Sequence, residues 1–158
     1  KTITQSQVYG AEARGGTTKA ELIDSNRPIA YPKVTDPDIL AAMTDEGLKQ
    51  YGGGITRKTL VIIDASSMTT PEFLNEENCK DVLALPIRSM LLERLHSELG
   101  LNIVLLGIIQ GITGIVTRES LEKAVALRVK KQYIDLNLKA LALGREMVES
   151  QAKAGIRV

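Results

Sequence analysis

The sequence predicts an α/β protein: three α/β/α layers, a mostly parallel or mixed sheet, and a helical C-terminal third. Two observations predict it. An apolar run without polar alternation occurs at residues 59–63, which is typical of an interior strand covered on both faces, and residues 80–85 repeat the pattern before Pro86. From residue 87 onward the apolar positions recur at helical spacing instead. Strands with interspersed helices, followed by a run of helices, favour this layered arrangement.

The first strands are predicted on either side of a glycine-rich loop. Residues 2–8 alternate polar and apolar side chains, and residues 19–24 resume the pattern. A third, buried strand is predicted at 38–43. Thr44 is suited to cap a helix that runs through Tyr51.

Glycines and further capping residues mark the predicted helix ends in the rest of the chain. Gly52 to Gly54 are expected to end the first helix, as glycine does just past a helix C-terminus. Four helical segments are predicted after the strands, and Thr117 is suited to cap the third. These segments cover residues 87–98, 101–111, 118–131 and 133–151.

Two apolar faces mark the last predicted helix, which favours broad burial. We expect one face on the sheet and the other against a partner chain. The first face carries Ile134, Leu138 and Leu141, and the second carries Leu136, Ala140, Leu143 and Met147.

Composition bounds the class of protein. The chain has 158 residues, of which 44% are hydrophobic and 25% charged, as in one ordinary globular domain. The formal net charge of +1 gives no indication of binding to nucleic acid or to an anionic membrane. No apolar run is long enough to span a bilayer. We expect a single domain over residues 1–158 that is soluble and cytoplasmic and binds neither nucleic acid nor membrane.

The single cysteine and single histidine limit the chemistry. Cys79 alone cannot form an internal disulfide, ligate an iron–sulfur cluster or build a zinc site. Its charged neighbours do not indicate a reactive thiol. His96 lies in a predicted helix without a second histidine or a triad partner. The sequence therefore predicts no catalytic residue and no metal site in this chain.

Two segments could still hold a ligand. The loop from Gly10 to Thr18 could bring backbone amides close to an anion that Arg14 pairs with, or it could be a wide turn pinned by Glu12 and Arg14. It is not a dinucleotide fingerprint, because a strand follows it. The segment Asp64 to Ser67 follows a predicted central strand, where ligands gather, although turn chemistry explains it equally well.

The order of several short motifs resembles one family. Gln5-Ser-Gln-Val-Tyr-Gly-Ala-Glu-Ala-Arg-Gly-Gly-Thr17 is similar to the "SYGPEARGG" loop of gamma subunits of 2-oxoacid:ferredoxin oxidoreductases. Pro28-Ile-Ala-Tyr-Pro-Lys-Val34 resembles their "IDYPKV" turn, and Leu136-Asn-Leu-Lys-Ala-Leu-Ala-Leu-Gly144 their final "LNLKAFEAG" helix. The likeness runs in the right order along almost the whole chain.

The resemblance implies a role within a larger enzyme. Such complexes oxidatively decarboxylate a 2-oxoacid to an acyl-CoA and reduce ferredoxin, using thiamine diphosphate, iron–sulfur clusters and CoA. The resemblance places the thiamine diphosphate and the clusters with partner subunits, and the expected partners are alpha, beta and ferredoxin-like delta subunits. This chain is then expected to bind no cofactor alone and to be inactive when isolated. Pyruvate, 2-oxoglutarate, branched-chain and aryl 2-oxoacids are all used in this family, and 2-oxoglutarate or pyruvate is the expected substrate.

The resemblance also assigns the glycine-rich loop to a CoA-proximal or subunit contact. Arg14 would pair with an anionic group and Glu12 would orient it, and both could equally hold the subunit interface. The loop positions concerned are Tyr9, Gly10, Glu12, Arg14, Gly15 and Gly16.

Two departures from the family pattern stand out. Ala11 replaces the usual proline, which predicts a less rigid loop. The family's "GxGGQG" strand–turn–helix is absent, so we expect a gamma domain that lacks this N-terminal element. Two other classes stay open from the sequence: a stand-alone CoA- or nucleotide-binding module without redox partners, and a purely structural assembly subunit.

Overall fold

The structure, a computed structural model, describes residues 1–9, 16–72, 74–75 and 77–153. The chain divides into two units. The sheet unit comprises residues 1–63 and 67–84, and the helical unit comprises residues 64–66 and 85 onward. The predicted assignment of residues 1–158 to a single domain stays a prediction.

A two-stranded antiparallel ribbon opens the sheet unit. Strand β1 (Thr2–Tyr9) pairs with strand β2 (Thr18–Ser25) over their whole lengths, from Thr2 opposite Ser25 to Tyr9 opposite Thr18. The alternating burial of β2 matches the alternation that predicted it, because successive strand side chains point to opposite faces.

Strands β3 (Ile39–Ala42), β4 (Leu60–Asp64) and β5 (Asp81–Leu85) form a separate sheet in the order β3-β4-β5. Strands β3 and β4 are parallel. Lys80 N donates to Thr59 O at one end of the other pair, and Ala65 N donates to Leu85 O at the opposite end, so β4 and β5 also run parallel. Every residue of β4 is buried, as its uninterrupted apolar run predicted.

Helix α1 (Asp45–Tyr51) begins as predicted, because the Thr44 side chain accepts a hydrogen bond from Gly47 N at 3.1 Å. The predicted reason for the end of α1, a glycine just past its C-terminus, is wrong. Gly52 to Gly54 form a 3-10 turn, and Gly52 caps the helix with φ of −76°, outside the left-handed region. Gly54 is needed for space instead, because a Cβ there would collide with the carbonyl oxygen of Thr35.

The core of the sheet unit forms on one face of β4, where Val61 and Ile63 are fully buried. Leu48 of α1 and Cys79 pack in the same cluster. The sheet therefore gains its apolar cover from α1 and from the connection that leads into β5.

The helical unit contains helices α2 (Ile87–Leu95), α3 (Leu101–Thr113), α4 (Arg118–Arg128) and α5 (Ile134–Lys153). Helix α2 is shorter than predicted. His96 takes a left-handed conformation, with φ of 50°, and its N–H donates to Leu92 O, which ends the helix. Helix α4 begins at the predicted cap, Thr117, but ends at Arg128, before the expected residue 131.

Helices α3 and α5 approach each other closely and run in the same direction. Gly107 faces Leu141 and Gly144, while Gly111 lies one turn further along against Arg145 and Val148. A Cβ at Gly144 would collide with the carbonyl oxygen of Val104. The two backbones can approach this closely only because glycine leaves the space open.

The broad burial predicted for α5 is found, since Ala140, Leu141, Leu143, Met147 and Val148 are all buried. The structure confirms the mixed α/β class, with a parallel sheet and a helical C-terminal part. Within the described residues, no helix is long and apolar enough to cross a membrane.

Candidate functional site

The glycine-rich loop connects the two strands of the ribbon. Gly10, Glu12, Arg14 and Gly15 of the predicted site lie outside the described residues. Of Tyr9 the backbone is described, paired with Thr18, and Gly16 is half-buried just before β2. The prediction that a strand follows the loop is thus confirmed, and with it the exclusion of a dinucleotide fingerprint, which requires a helix there.

The C-terminal end of this loop is fixed to helix α1. The hydroxyl of Thr17 donates to the Gln50 side-chain oxygen and lies 3.4 Å from the hydroxyl of Tyr51. The Lys19 ammonium stands 5.1 Å from the centre of the Tyr51 ring, within range of a cation–π interaction. These contacts fix the position at which the chain leaves the loop.

Glu21 links the two strands of the ribbon on the same face as Lys19. Its carboxylate accepts from Lys19 Nζ at 2.6 Å and from the Ser6 hydroxyl across the strands at 2.7 Å. The hydrogen bond from Lys19 is the main reason why the pKa of Glu21 lies below its ordinary value, although burial opposes the shift. An ionised carboxylate therefore adds a side-chain link between the two strands of the ribbon.

We expect Glu21→Gln to destabilise the protein at neutral pH, because the amide cannot replace the charged contact with Lys19. A carboxyl group whose pKa is lower in the folded than in the unfolded state stabilises the fold at pH values above its unfolded-state pKa. This stabilisation is lost as pH falls through the folded-state pKa. The gap in urea midpoint between variant and wild type should therefore narrow on acidification. Glu46→Gln is the control, because Glu46 is exposed on α1. A gap that persists below the folded-state pKa would contradict this role.

The segment after β4 acts as a cap for α2. Asp64 is fully buried, and its carboxylate accepts from Ser66 N at 3.1 Å and from Arg88 N at 3.3 Å. The Ser66 hydroxyl accepts from Ser89 N at 3.1 Å. The residue at the cap position itself, Pro86, provides no side-chain acceptor. Turn and capping chemistry therefore accounts for this segment, and sequence analysis missed Arg88 and Ser89 as its partners.

The remaining candidate groups do not assemble a catalytic site. Burial raises the pKa of the Cys79 thiol, and nearby Asp81 adds to the effect, so the thiolate is disfavoured. His96 is exposed at the end of α2, where its backbone serves as a cap. No group of three or more His, Cys, Asp or Glu side chains within the described part of the chain is placed to hold a metal ion.

The potential ligand side chains of this protein do not suit the redox cofactors of the enzymes that it resembles. A cysteine-ligated iron–sulfur cluster needs several thiolates, and this sequence contains one cysteine. A metal-held diphosphate needs a carboxylate cluster, which the described residues do not provide. Two pockets, of about 140 and 150 Å³, are smaller than a typical cofactor site of about 300 Å³ or more.

Comparison with known proteins defines the family. The family model for pyruvate ferredoxin/flavodoxin oxidoreductase matches residues 1–147. A 2-oxoglutarate synthase subunit, KorC, from Methanocaldococcus jannaschii is 34% identical over 149 residues, which cover 94% of this chain and 79% of that protein. The chain therefore belongs to the pyruvate ferredoxin/flavodoxin oxidoreductase family.

A solved structure narrows the position within the family. The gamma subunit of a keto/oxoacid ferredoxin oxidoreductase from Geobacter sulfurreducens superimposes with a TM-score of 0.76 at 32% identity, over 94% of this chain and 80% of that one. The predicted likeness to a gamma subunit of a 2-oxoacid:ferredoxin oxidoreductase is thereby confirmed. A ketoisovalerate oxidoreductase subunit, VorA, from Methanothermobacter marburgensis is 29% identical over 87% of this chain but only 28% of its own length.

Proposed function

We propose that this chain is the gamma component of a complex that oxidatively decarboxylates 2-oxoglutarate to an acyl-CoA and reduces ferredoxin. The match to a 2-oxoglutarate synthase subunit over 79% of that protein's length carries the choice of substrate. Pyruvate is the second candidate, since the family model that matches residues 1–147 is described by it.

In this proposal the chain contributes binding surface, and the redox chemistry takes place on other subunits. Thiamine diphosphate and the iron–sulfur clusters are held by alpha, beta and ferredoxin-like delta subunits, and ferredoxin accepts the electrons. The lone, buried Cys79, whose pKa is raised, supports this division of labour. The same unpaired cysteine is in keeping with a reducing cytoplasm.

The glycine-rich loop is the proposed contact with CoA or with a neighbouring subunit. Arg14 would pair with an anionic group, and Glu12 would orient it. What supports this proposal is the attachment of Thr17, at the C-terminal end of the loop, to the end of α1, beside Lys19.

The test is Arg14→Ala in the assembled complex, assayed with 2-oxoglutarate and with pyruvate. If Arg14 pairs with a CoA phosphate, the KM for CoA should rise about tenfold or more, because one charge-assisted contact is lost. If Arg14 holds the subunit interface, less of the chain should co-purify with its partners. Wild-type complex that turns over pyruvate but not 2-oxoglutarate would contradict the substrate assignment.

Arg27→Ala provides the matched control, because Arg27 is exposed in the turn that follows β2. We expect it to leave both the KM for CoA and assembly unchanged. If Arg14→Ala behaved like this control in both measurements, the loop assignment would be wrong.

A stand-alone binding module is not favoured, because the relatives are subunits. CoA binding by the chain without partners would be needed to support it. A purely structural role for this subunit would be indicated if every loop variant left the kinetics of the complex unchanged.

A further inference from the structure

Four exposed basic side chains lie together at the end of α4, and none of them pairs with a carboxylate of a described residue. We define Lys123, Arg128, Lys130 and Lys131 as the α4 basic patch. The other basic side chains described in the helical unit each pair with a carboxylate. These paired residues are Arg88, Arg94, Arg118, Lys139 and Arg145.

The α4 basic patch concentrates charge that the rest of the chain does not carry. No acidic residue occurs from Lys123 to Ile134. The formal net charge of +1 includes all four cations, so the remainder of the chain is net acidic. The helix dipole accounts for Arg128, in the last turn of α4, but Lys123 lies more than a turn earlier and Lys130 and Lys131 lie beyond the helix. Helix capping therefore does not explain the patch.

An exposed leucine lies among these cations. Leu127 is 84% exposed, the highest value among the large hydrophobic side chains described. Lys123 precedes it by four residues and so lies on the same side of α4. Tyr133, which ends the short 3-10 turn after α4, is 38% exposed. An apolar contact with charged surroundings has the layout of a protein-binding surface, in which a polar rim encloses an apolar centre.

The balance of charge and apolar area selects the kind of occupant. Permanent interfaces are large and apolar, and charges are depleted at their centre. The α4 basic patch is the opposite, since four solvated cations accompany one leucine, and this suits a small, transient complex steered by charge. A membrane-binding helix would present a row of apolar side chains, whereas Leu127 is the only exposed large apolar side chain of α4 and Val125 is buried.

One protein in the proposed reaction has to bind and leave during turnover, and that is the electron acceptor. We propose that the α4 basic patch docks ferredoxin, through an acidic face of ferredoxin with an apolar residue that contacts Leu127. Attraction between the two faces would speed the encounter, while the electrons leave from clusters held by other subunits. This inference rests on the proposed function, since it requires the chain to belong to a ferredoxin-reducing complex.

The first test is the double variant Lys130→Gln with Lys131→Gln in the assembled complex, assayed with 2-oxoglutarate and purified ferredoxin. At low ionic strength the KM for ferredoxin should rise about three- to tenfold, because two attractive charges are lost. The difference from the wild type should shrink as salt is added, because salt screens exposed charges. Lys49→Gln with Lys58→Gln is the matched control, since it removes the same charge from exposed lysines of the sheet unit.

Three readouts separate docking from other roles of these lysines. The KM for 2-oxoglutarate, the KM for CoA and the rate with a small uncharged quinone as acceptor should all stay unchanged. A KM for ferredoxin equal to that of the control variant would overturn the proposal. Reduced co-purification with the other subunits, or loss of binding to anionic lipid vesicles, with an unchanged KM for ferredoxin would also overturn it, because the patch would then serve a different partner.

Leu127→Ala tests the apolar contact by itself. Because this side chain is uncharged, the variant should raise the KM for ferredoxin about threefold or more at low and at high salt alike. An unchanged KM would overturn the contact with Leu127. A wild-type complex that reduces the quinone but not ferredoxin, or that turns over no 2-oxoacid, would instead contradict the proposed function, so the two failures are distinguishable.

Discussion

Gly144→Ala is expected to destabilise the helical unit by about 2–4 kcal/mol, because overpacking at a close helix contact forces the backbones apart. A Cβ at this position would meet the carbonyl oxygen of Val104 and lie 2.8 Å from the amide nitrogen of Ile108. Neither atom belongs to a side chain that could rotate away. The free energy of unfolding, from urea titration followed by circular dichroism, measures the effect.

Gly111→Ala on α3 provides the matched control. A Cβ there would lie 3.5 Å from Val148 Cβ, which is ordinary van der Waals contact. Since alanine favours the helix over glycine, this variant should be stabilised by about 0.5–1 kcal/mol. Two substitutions of the same kind thus have opposite expected signs. If Gly144→Ala were as stable as the wild type, the close approach of α3 and α5 would be wrong.

Asp64→Ala is the second large effect that we expect, with a loss of about 2–4 kcal/mol. The substitution removes the acceptor for Ser66 N and Arg88 N at a fully buried position. It also leaves the Arg88 guanidinium, now 3.9 Å from the carboxylate, without this partner. Urea unfolding is the measurement, and Ser66→Ala should lose about 1 kcal/mol, as other lost helix caps do.

Asp135→Ala tests whether burial, and not charge alone, makes Asp64 important. Asp135 pairs with Lys139 at 2.7 Å, but its side chain is 81% exposed. Exposed ion pairs of this kind contribute little to stability, so the urea midpoint of Asp135→Ala should stay close to that of the wild type. A loss as large as that of Asp64→Ala would show that burial is not what makes Asp64 important.

Local patterns predicted most elements of the fold. The caps at Thr44 and Thr117 are found because a capping side chain and the amide that donates to it lie within one turn of sequence. His96 could not be predicted as a helix end, since the apolar spacing continues past it and a left-handed histidine depends on its surroundings. The role of Gly144 was equally hidden, because it exists only once α3 lies against it.

The candidate site was less accessible to sequence analysis. The capping of α2 by Asp64 and Ser66 joins segments more than twenty residues apart, which become neighbours only when β4 and β5 pair. A proline at the start of a helix without its own capping side chain was the available indication. The roles assigned to Glu12 and Arg14 came from family resemblance and stay predictions.

The ribbon of β1 and β2 has a consequence for cooperativity. Among the described strands, these two pair only with each other, whereas β4 is paired on both sides. A two-stranded hairpin has little independent stability, so its hydrogen bonds can open as a local unit while the parallel sheet stays folded. Its amide hydrogens should exchange with solvent faster than those of β4. A partner that binds the ribbon would therefore also slow its exchange, and this gives docking a signature that needs no assay of turnover.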